Sequence, residues 1–176
     1  MDINKFILEV NSVNWNRFSS EAWSHYKPEN VPHALIALAL ADKGSADFLY
    51  IKKGEKIPDS DDMLSNAPVE FAVYDAIGNN HAGVYHAAIR EALPFIIQVA
   101  LFGNHLVARH CAIDILITLY CTFSPSSWSD ESKELEKFVK ETIRSTVLEN
   151  RQNLNEFALA CEENKLLVDE LMEIID

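Results

Sequence analysis

Glycine is scarce in this sequence, with five residues in 176, and those five are scattered. A glycine-rich loop that cradles phosphate needs several in one turn, so nucleotide chemistry of that kind is excluded. Cysteine is scarcer still. Cys111, Cys121 and Cys161 are an odd number with no C-x-x-C spacing, which suits neither a disulfide framework nor a cysteine zinc site. All three read as reduced thiols packed in the core. Long unbroken apolar runs are missing too: the longest stretches carry polar residues inside the roughly 18 positions a membrane span requires. The opening Met-Asp-Ile-Asn-Lys-Phe-Ile-Leu-Glu-Val lacks a basic leader, and Glu9 interrupts its apolar run, so no secretory signal is expected. A soluble, cytoplasmic protein without a membrane partner is the expectation.

Catalytic and metal-binding motifs are absent as well. There is no G-x-S-x-G, no H-E-x-x-H and no cluster of acid, base and nucleophile. His81 and His86, like His105 and His110, stand five apart, whereas two ligands on one helical face need a spacing of three or four. His110 and Asp114 have that spacing, and a hydrogen bond or ion pair is the simpler use of it. Asp59-x-Asp61-Asp62 opens like a calcium loop, but Leu64 stands where the sixth position calls for glycine. The sequence therefore predicts no enzyme, with no catalytic residue, no metal and no cofactor.

What the chain does have is hydrophobic residues, 48% of the total, and they concentrate between Gly83 and Phe123. Two apolar segments there are parted only by Gly103-Asn104 and read as an αα-hairpin. In the second segment His110, Asp114 and Thr118 follow one another at i, i+4 and form a single polar seam. Every other face is apolar, so this helix must be covered on several sides. Pro94 interrupts the first segment, where the helix is expected to restart or kink.

The flanks are helical by spacing. Residues 1–29 are rich in aromatics (Phe6, Trp15, Phe18, Trp23, Tyr26), with Ser19 or Ser20 as a candidate cap. A helix starts at Pro32 and breaks at Lys43-Gly44 before Ser45–Ile51, and Lys52–Asp62 reads as a loop. Leu64–Gly78 follows as a helix, with a short strand at Val69–Tyr74 as the alternative. Beyond the Ser-rich linker around Trp128, Ser129 looks like an N-cap followed by Asp130 and Glu131. Leu135, Phe138, Val139, Thr142 and Thr146 then share one face, and Glu136/Lys140 and Lys137/Glu141 are i, i+4 pairs on the other. Two more helices carry Leu154, Phe157, Ala158 and Cys161, then Leu167, Leu171 and Ile174, with a break near Glu162–Asn164. Trp128 is the best candidate for an exposed tryptophan. Val31-Pro32-x-Ala-Leu-Ile aligns with Leu93-Pro94-Phe-Ile-Ile, suggesting a degenerate second copy of the hairpin.

The run His81-x-Gly83-x-Tyr85-x-Ala87-Ala88, then Ala92-Leu93-Pro94-Phe95-Ile96, the Gly-Asn turn and Ile113-Asp114-Ile115-Leu116, resembles HEAT-like proteins of bacteria. Many of these look like immunity proteins of polymorphic or contact-dependent toxin systems. The resemblance implies an all-α fold of about seven to nine helices, stacked as hairpins in an α-solenoid fragment. In that scheme residues 1–176 are one domain, with 1–29 an N-terminal cap, 30–123 the HEAT-like pairs and 129–176 the C-terminal helices. It also implies a protein that inhibits by binding.

Charge gives that implication a direction. The formal net charge is −12, and it is not spread evenly. Residues 1–57 and 76–128 are each balanced. Residues 58–75 hold five acids and no base, and 129–176 hold thirteen acids against six bases. The i, i+4 pairs partly compensate the second group; nothing nearby compensates the first. An uncompensated acidic face draws in a basic partner and speeds its association. A nuclease toxin carries Lys and Arg to hold phosphate, so the expected partner is a cognate basic toxin domain bound 1:1, and nucleic acid is not an expected ligand. The candidate partner-binding residues are Asp59, Asp61, Asp62, Glu70, Tyr74, Asp75 and Tyr85. The alternative is a HEAT-like scaffold or adaptor that takes a peptide or protein into an apolar groove.

Overall fold

The structure is a computed structural model that describes residues 1–18, 28–42, 67–127 and 129–176. Among these are eight α-helices: α1 (Ile3–Ser12), α2 (Val31–Leu40), α3 (Ala67–Ile77), α4 (Ile89–Phe102), α5 (Leu106–Cys121), α6 (Asp130–Glu149), α7 (Arg151–Ala158) and α8 (Glu162–Ile175). The all-α expectation holds. The candidate cap at Ser19 or Ser20, Trp23, Trp128, the break at Lys43-Gly44, Ser45–Ile51 and the loop Lys52–Asp62 lie outside the described residues.

The seam pattern of α5 has the consequence it implied. Helices α2, α3, α4, α6 and α8 all pack against α5, and only its two end residues, Leu106 and Cys121, are exposed. Helix α4 reaches α5 through residues 103–105, which confirms the hairpin. One detail differs: α4 runs unbroken through Pro94, its sixth residue. Pro94 and Arg90 are both exposed, so the Arg90 carbonyl that proline leaves unbonded is within reach of water, and the interruption is tolerated. Pro32, by contrast, is the second residue of α2, where no intrahelical N–H is lost. The two Pro-containing segments thus sit in different helical registers, and their alignment does not mark equivalent positions.

The stretch before α4 also departs from expectation. It is not the start of a helix but part of a small sheet, β1 (Gly78–Asn79), β2 (Val84–Tyr85) and β3 (Ser124–Pro125), with β1 antiparallel and β3 parallel to β2. Two glycines allow it. A Cβ on Gly78 would lie 2.0 Å from the Val84 carbonyl oxygen, and Gly83 turns the chain at φ 61°, in the left-handed region where glycine carries no steric cost.

At the amino end, Asp2 caps α1 by accepting from the Asn4 and Lys5 amides, both at 3.1 Å. Phe6 meets Phe95 edge-on at 5.6 Å, and buried Trp15 donates its indole N–H to the Val10 carbonyl at 2.9 Å. At the carboxyl end, Ser129 caps α6 as expected, its Oγ accepting from the Ser132 amide. Leu135, Val139, Ile143 and Val147 form the buried stripe of α6; Phe138, Thr142 and Thr146 are half-buried, so the packed face lies one position over from the predicted one. Arg109 ties the hairpin to α7: it donates to the Ala100 and Asn153 carbonyls, each at 3.0 Å, and lies over the Phe157 ring. The break before α8 falls at 159–161. Of the cysteines only Cys111 is buried. Cys121 ends α5 and Cys161 caps α8, and helix ends at the surface do not enclose a side chain.

Candidate functional site

The polar seam of α5 is where the fold assembles ionisable groups. His110, Asp114 and Thr118 are half-buried rather than solvated, because α3 lies along one side of them and α8 along the other. From α3 come Glu70 and Tyr74, one helical turn apart; from α8 come Asn164 and Glu170. His110 Nδ1 is 3.1 Å from Asn164 Oδ1, and since that oxygen only accepts, Nδ1 carries the proton. Asn164, itself buried, points its amide toward the Phe157 carbonyl.

Carboxylates crowd the other end of the seam. Burial, with Asp114 adjacent, raises the Glu70 carboxyl to about 7, and the Cys111 thiol offsets only part of this. Asp114 is raised too, by burial first, with Glu170 adding to the effect and His110 and Tyr74 opposing it. Among the described residues none of Glu70, Asp114 and Glu170 forms an ion pair within 4 Å. Burial likewise pushes the Tyr74 phenol and the Cys111 thiol up. The Tyr74 hydroxyl faces Thr118, Asp114 and Glu70 but is buried with no hydrogen bond at normal geometry. Glu70 and Asp114 therefore lie together in the half-buried seam, with exposed Glu170 at its edge and His110 one turn from Asp114 on α5.

A second feature is an open cleft of about 570 Å³ between the N-terminal ends of α4 and α6. Its walls include Arg90, Ser127, Ser132 and Glu134. His86 is buried there, with Nδ1 2.9 Å from Ser126 Oγ, and desolvation lowers its pKa. The β2 and β3 backbones flank this pair, with the Ser126 amide donating to the Tyr85 carbonyl. The contact clips two strands together, and the charge lining the cleft is mixed.

The seven candidate binding residues separate on this structure. Asp59, Asp61 and Asp62 lie outside the described residues. Glu70 and Asp75 are on α3, the first in the seam and the second exposed. Tyr85 is 0% exposed and Tyr74 is 4%, so neither ring offers a partner a surface as folded. The helical spacing of α3 turns Tyr74 inward, and strand pairing encloses Tyr85. Asp114 and Glu170 were not among the candidates. The i, i+4 seam on α5 was the visible signal for Asp114; nothing local to Glu170 pointed to it.

Among the described residues no group of three or more His, Cys, Asp and Glu side chains is placed to hold a metal, and no helix is long and apolar enough to cross a membrane. No protein-family model, curated protein or solved structure matches the chain.

Proposed function

We propose that this chain is an immunity protein: a non-enzymatic inhibitor that binds the basic nuclease domain of a cognate toxin from a contact-dependent or polymorphic system, 1:1, and covers its active site. The observation that supports this most is the convergence of its acidic segments. Residues 58–75 and 129–176 together hold the whole net charge. Within them α3 and α8 both pack on α5, which brings Glu70 and Glu170 to the same helix as Asp114. A surplus of carboxylates gathered on one side of the molecule favours a basic partner. On a nuclease the cations line the groove that holds phosphate.

The test is genetic and then biophysical. The open reading frame beside this gene is expressed alone and together with it. The reading expects a secreted protein whose C-terminal domain arrests growth alone and not in the pair, with affinity for this chain falling as salt rises. Arrest that persists in the pair overturns it. A neighbour bound with affinity indifferent to salt favours the HEAT-like adaptor instead.

A further inference from the structure

We propose that the outer face of α8 is the surface that docks on the basic partner, with Leu166 seated in an apolar hollow of that partner and the carboxylates around it meeting its cations. This rests on the reading of the chain as a binder of a basic protein, and it names the face that makes contact.

The two sides of α8 differ. Leu167, Val168, Leu171 and Ile175 turn toward the core, whereas Glu162, Glu163, Asp169, Glu170 and Glu173 are exposed. Leu166 is exposed among them, at 61%. Residues three, four and seven positions apart share one face of a helix. Glu162 and Glu163 precede Leu166 at the first two of these spacings, Asp169 and Glu170 follow it at the same two, and Glu173 follows at the third. The leucine is ringed by acids. Leu159, 87% exposed and just ahead of the Cys161 cap, adds a second apolar side chain at that end of the helix.

A solvated face is the ordinary explanation of such charge, and α6 shows how this chain builds one. There Lys133 pairs with Asp130, Lys140 with Glu136 and Lys137 with Glu141. On α8 none of the five acids forms an ion pair among the described residues, and Lys165 is the one base of the helix. Glu162 and Glu163 serve the helix itself by standing in its first turn. The other three do not. Asp169 and Glu173 are like charges at i, i+4, Glu170 and Glu173 are like charges at i, i+3, and Glu173 lies in a last turn that carries no base. Each of these arrangements opposes the helix. A cationic surface laid on this face reverses the sign of all three, and the exposed leucine supplies the apolar anchor that such a contact needs at its centre.

Charge also decides among occupants. A second copy of this chain would bring the same acids against these, and nucleic acid would bring phosphates, so both are repelled. A protein surface with Lys or Arg around an apolar depression fits both halves of the face.

The experiment uses the full chain, isotope-labelled for NMR, and a synthetic helical peptide with arginines flanking an alanine stripe; the control peptide has glutamine for arginine. The arginine peptide is expected to move the amide signals of residues 162–173 and the Leu166 methyls, more weakly as salt rises, and the control should move neither. Leu166→Ser, and separately Glu170→Gln with Glu173→Gln, should each weaken binding by about tenfold. The double variant should also unfold about 1–2 °C higher than wild type, because its like charges are gone; Glu141→Gln on α6 should change neither binding nor stability in that direction. Signals that move on α3 or α6 with α8 silent overturn the proposal, as does unchanged affinity in both α8 variants. It is equally overturned by a wild-type chain that self-associates unless Leu166 is replaced, or by a peptide that reaches α8 only once Lys52, Lys53 and Lys56 are changed to glutamine, since the face then belongs to a second copy or to the chain itself. Growth rescue is scored separately: rescue with unaltered toxin affinity in both α8 variants sinks the face and leaves the inhibitor reading intact, whereas peptide binding at α8 beside a gene with no toxin does the reverse.

Discussion

The α4–α5 hairpin and helix α6 lie against each other and are stabilised in different ways. In α5 every residue between the two ends is at least half-buried, and Arg109 and His110 are spent on specific partners. In α6 a single stripe of Leu135, Val139, Ile143 and Val147 is buried, and the opposite side carries Lys-Glu pairs in water. A helix enclosed by five others has no direction in which to relax. A helix with solvent on one side can shift toward a void. The difference teaches that equal chemical changes should have unequal consequences in the two regions, and that an ionisable group left in the enclosed region is perturbed by its burial.

The largest effect to test is therefore a matched pair of cavities. Ile113 in α5 and Ile143 in α6 are both 0% exposed. Replacing either by alanine removes the same atoms, and such changes cost about 2–5 kcal/mol depending on how far the site collapses. Ile113→Ala is expected near the top of that range and Ile143→Ala near the bottom, read as the shift in urea midpoint at constant slope. Equal losses, or the reverse order, would dissolve the contrast between the regions.

Next in size is the perturbed acid itself. Glu70 titrates at about 7 in the folded chain against an ordinary value of 4.5. Between those values the folded state holds a proton that the unfolded state has released, so stability falls as pH rises through this window. The penalty is absent below pH 4 and complete above pH 8, and the full shift corresponds to roughly 3 kcal/mol as an upper bound. Glu70→Gln should then unfold at a higher temperature than wild type at pH 8 and at the same temperature at pH 4. Asp114 is shifted in the same direction, and Asp114→Asn should in addition bring Glu70 back toward its usual range. A flat pH profile for the difference between Glu70→Gln and wild type would mean that Glu70 is solvated.

These two regions were also unequally legible. The hairpin turn at Gly103-Asn104, the enclosed character of α5, the Ser129 cap and the two ion pairs of α6 are all local patterns, set by spacing within a turn or two, and they are where the sequence placed them. What failed was set by distant chain. Tyr85 reads as part of a helical run until one knows that Gly78 and Pro125 pair on either side of it. Cys121 and Cys161 read as core thiols because composition does not say which end of a helix meets solvent. The seam itself was half visible: α5 displayed its three polar residues, but Glu70 is far away in sequence, and only packing of α3 on α5 makes the two acids neighbours. An acid's environment is a tertiary property, so its pKa is the last thing a pattern can supply.

A smaller test concerns how α6 begins. Ser129 Oγ accepts from the Ser132 amide at 3.2 Å, and Asp130 and Glu131 occupy the first turn, where the helix dipole favours them. Ser129→Ala should cost about 1 kcal/mol, and Ser129→Asp should cost little. Because this end faces the cleft beside His86, a loss well above that size would show that Ser129 supports the β2–β3 clip as well as the helix.

The smallest expected effects separate two ion pairs on α6 that a sequence treats alike. Glu136 Oε1 and Lys140 Nζ are 2.7 Å apart, with side chains 34% and 42% exposed; Lys137 and Glu141 are 3.8 Å apart and about 70% exposed. In the first pair the acid precedes the base, the arrangement the helix dipole favours, and its lower exposure leaves less screening. Double-mutant cycles with Gln and Met replacements should give about 0.3–0.5 kcal/mol for Glu136/Lys140 and nothing measurable for Lys137/Glu141, and 1 M salt should erase the first value. Glu136 also lies near the buried Tyr85 hydroxyl, whose ionisation it opposes, so Lys140→Met alone should raise that phenol's resistance to ionisation further. A coupling well above 1 kcal/mol that survives salt would place Glu136 in the enclosed region, and the boundary between the two halves of the molecule would then run through α6 rather than beside it.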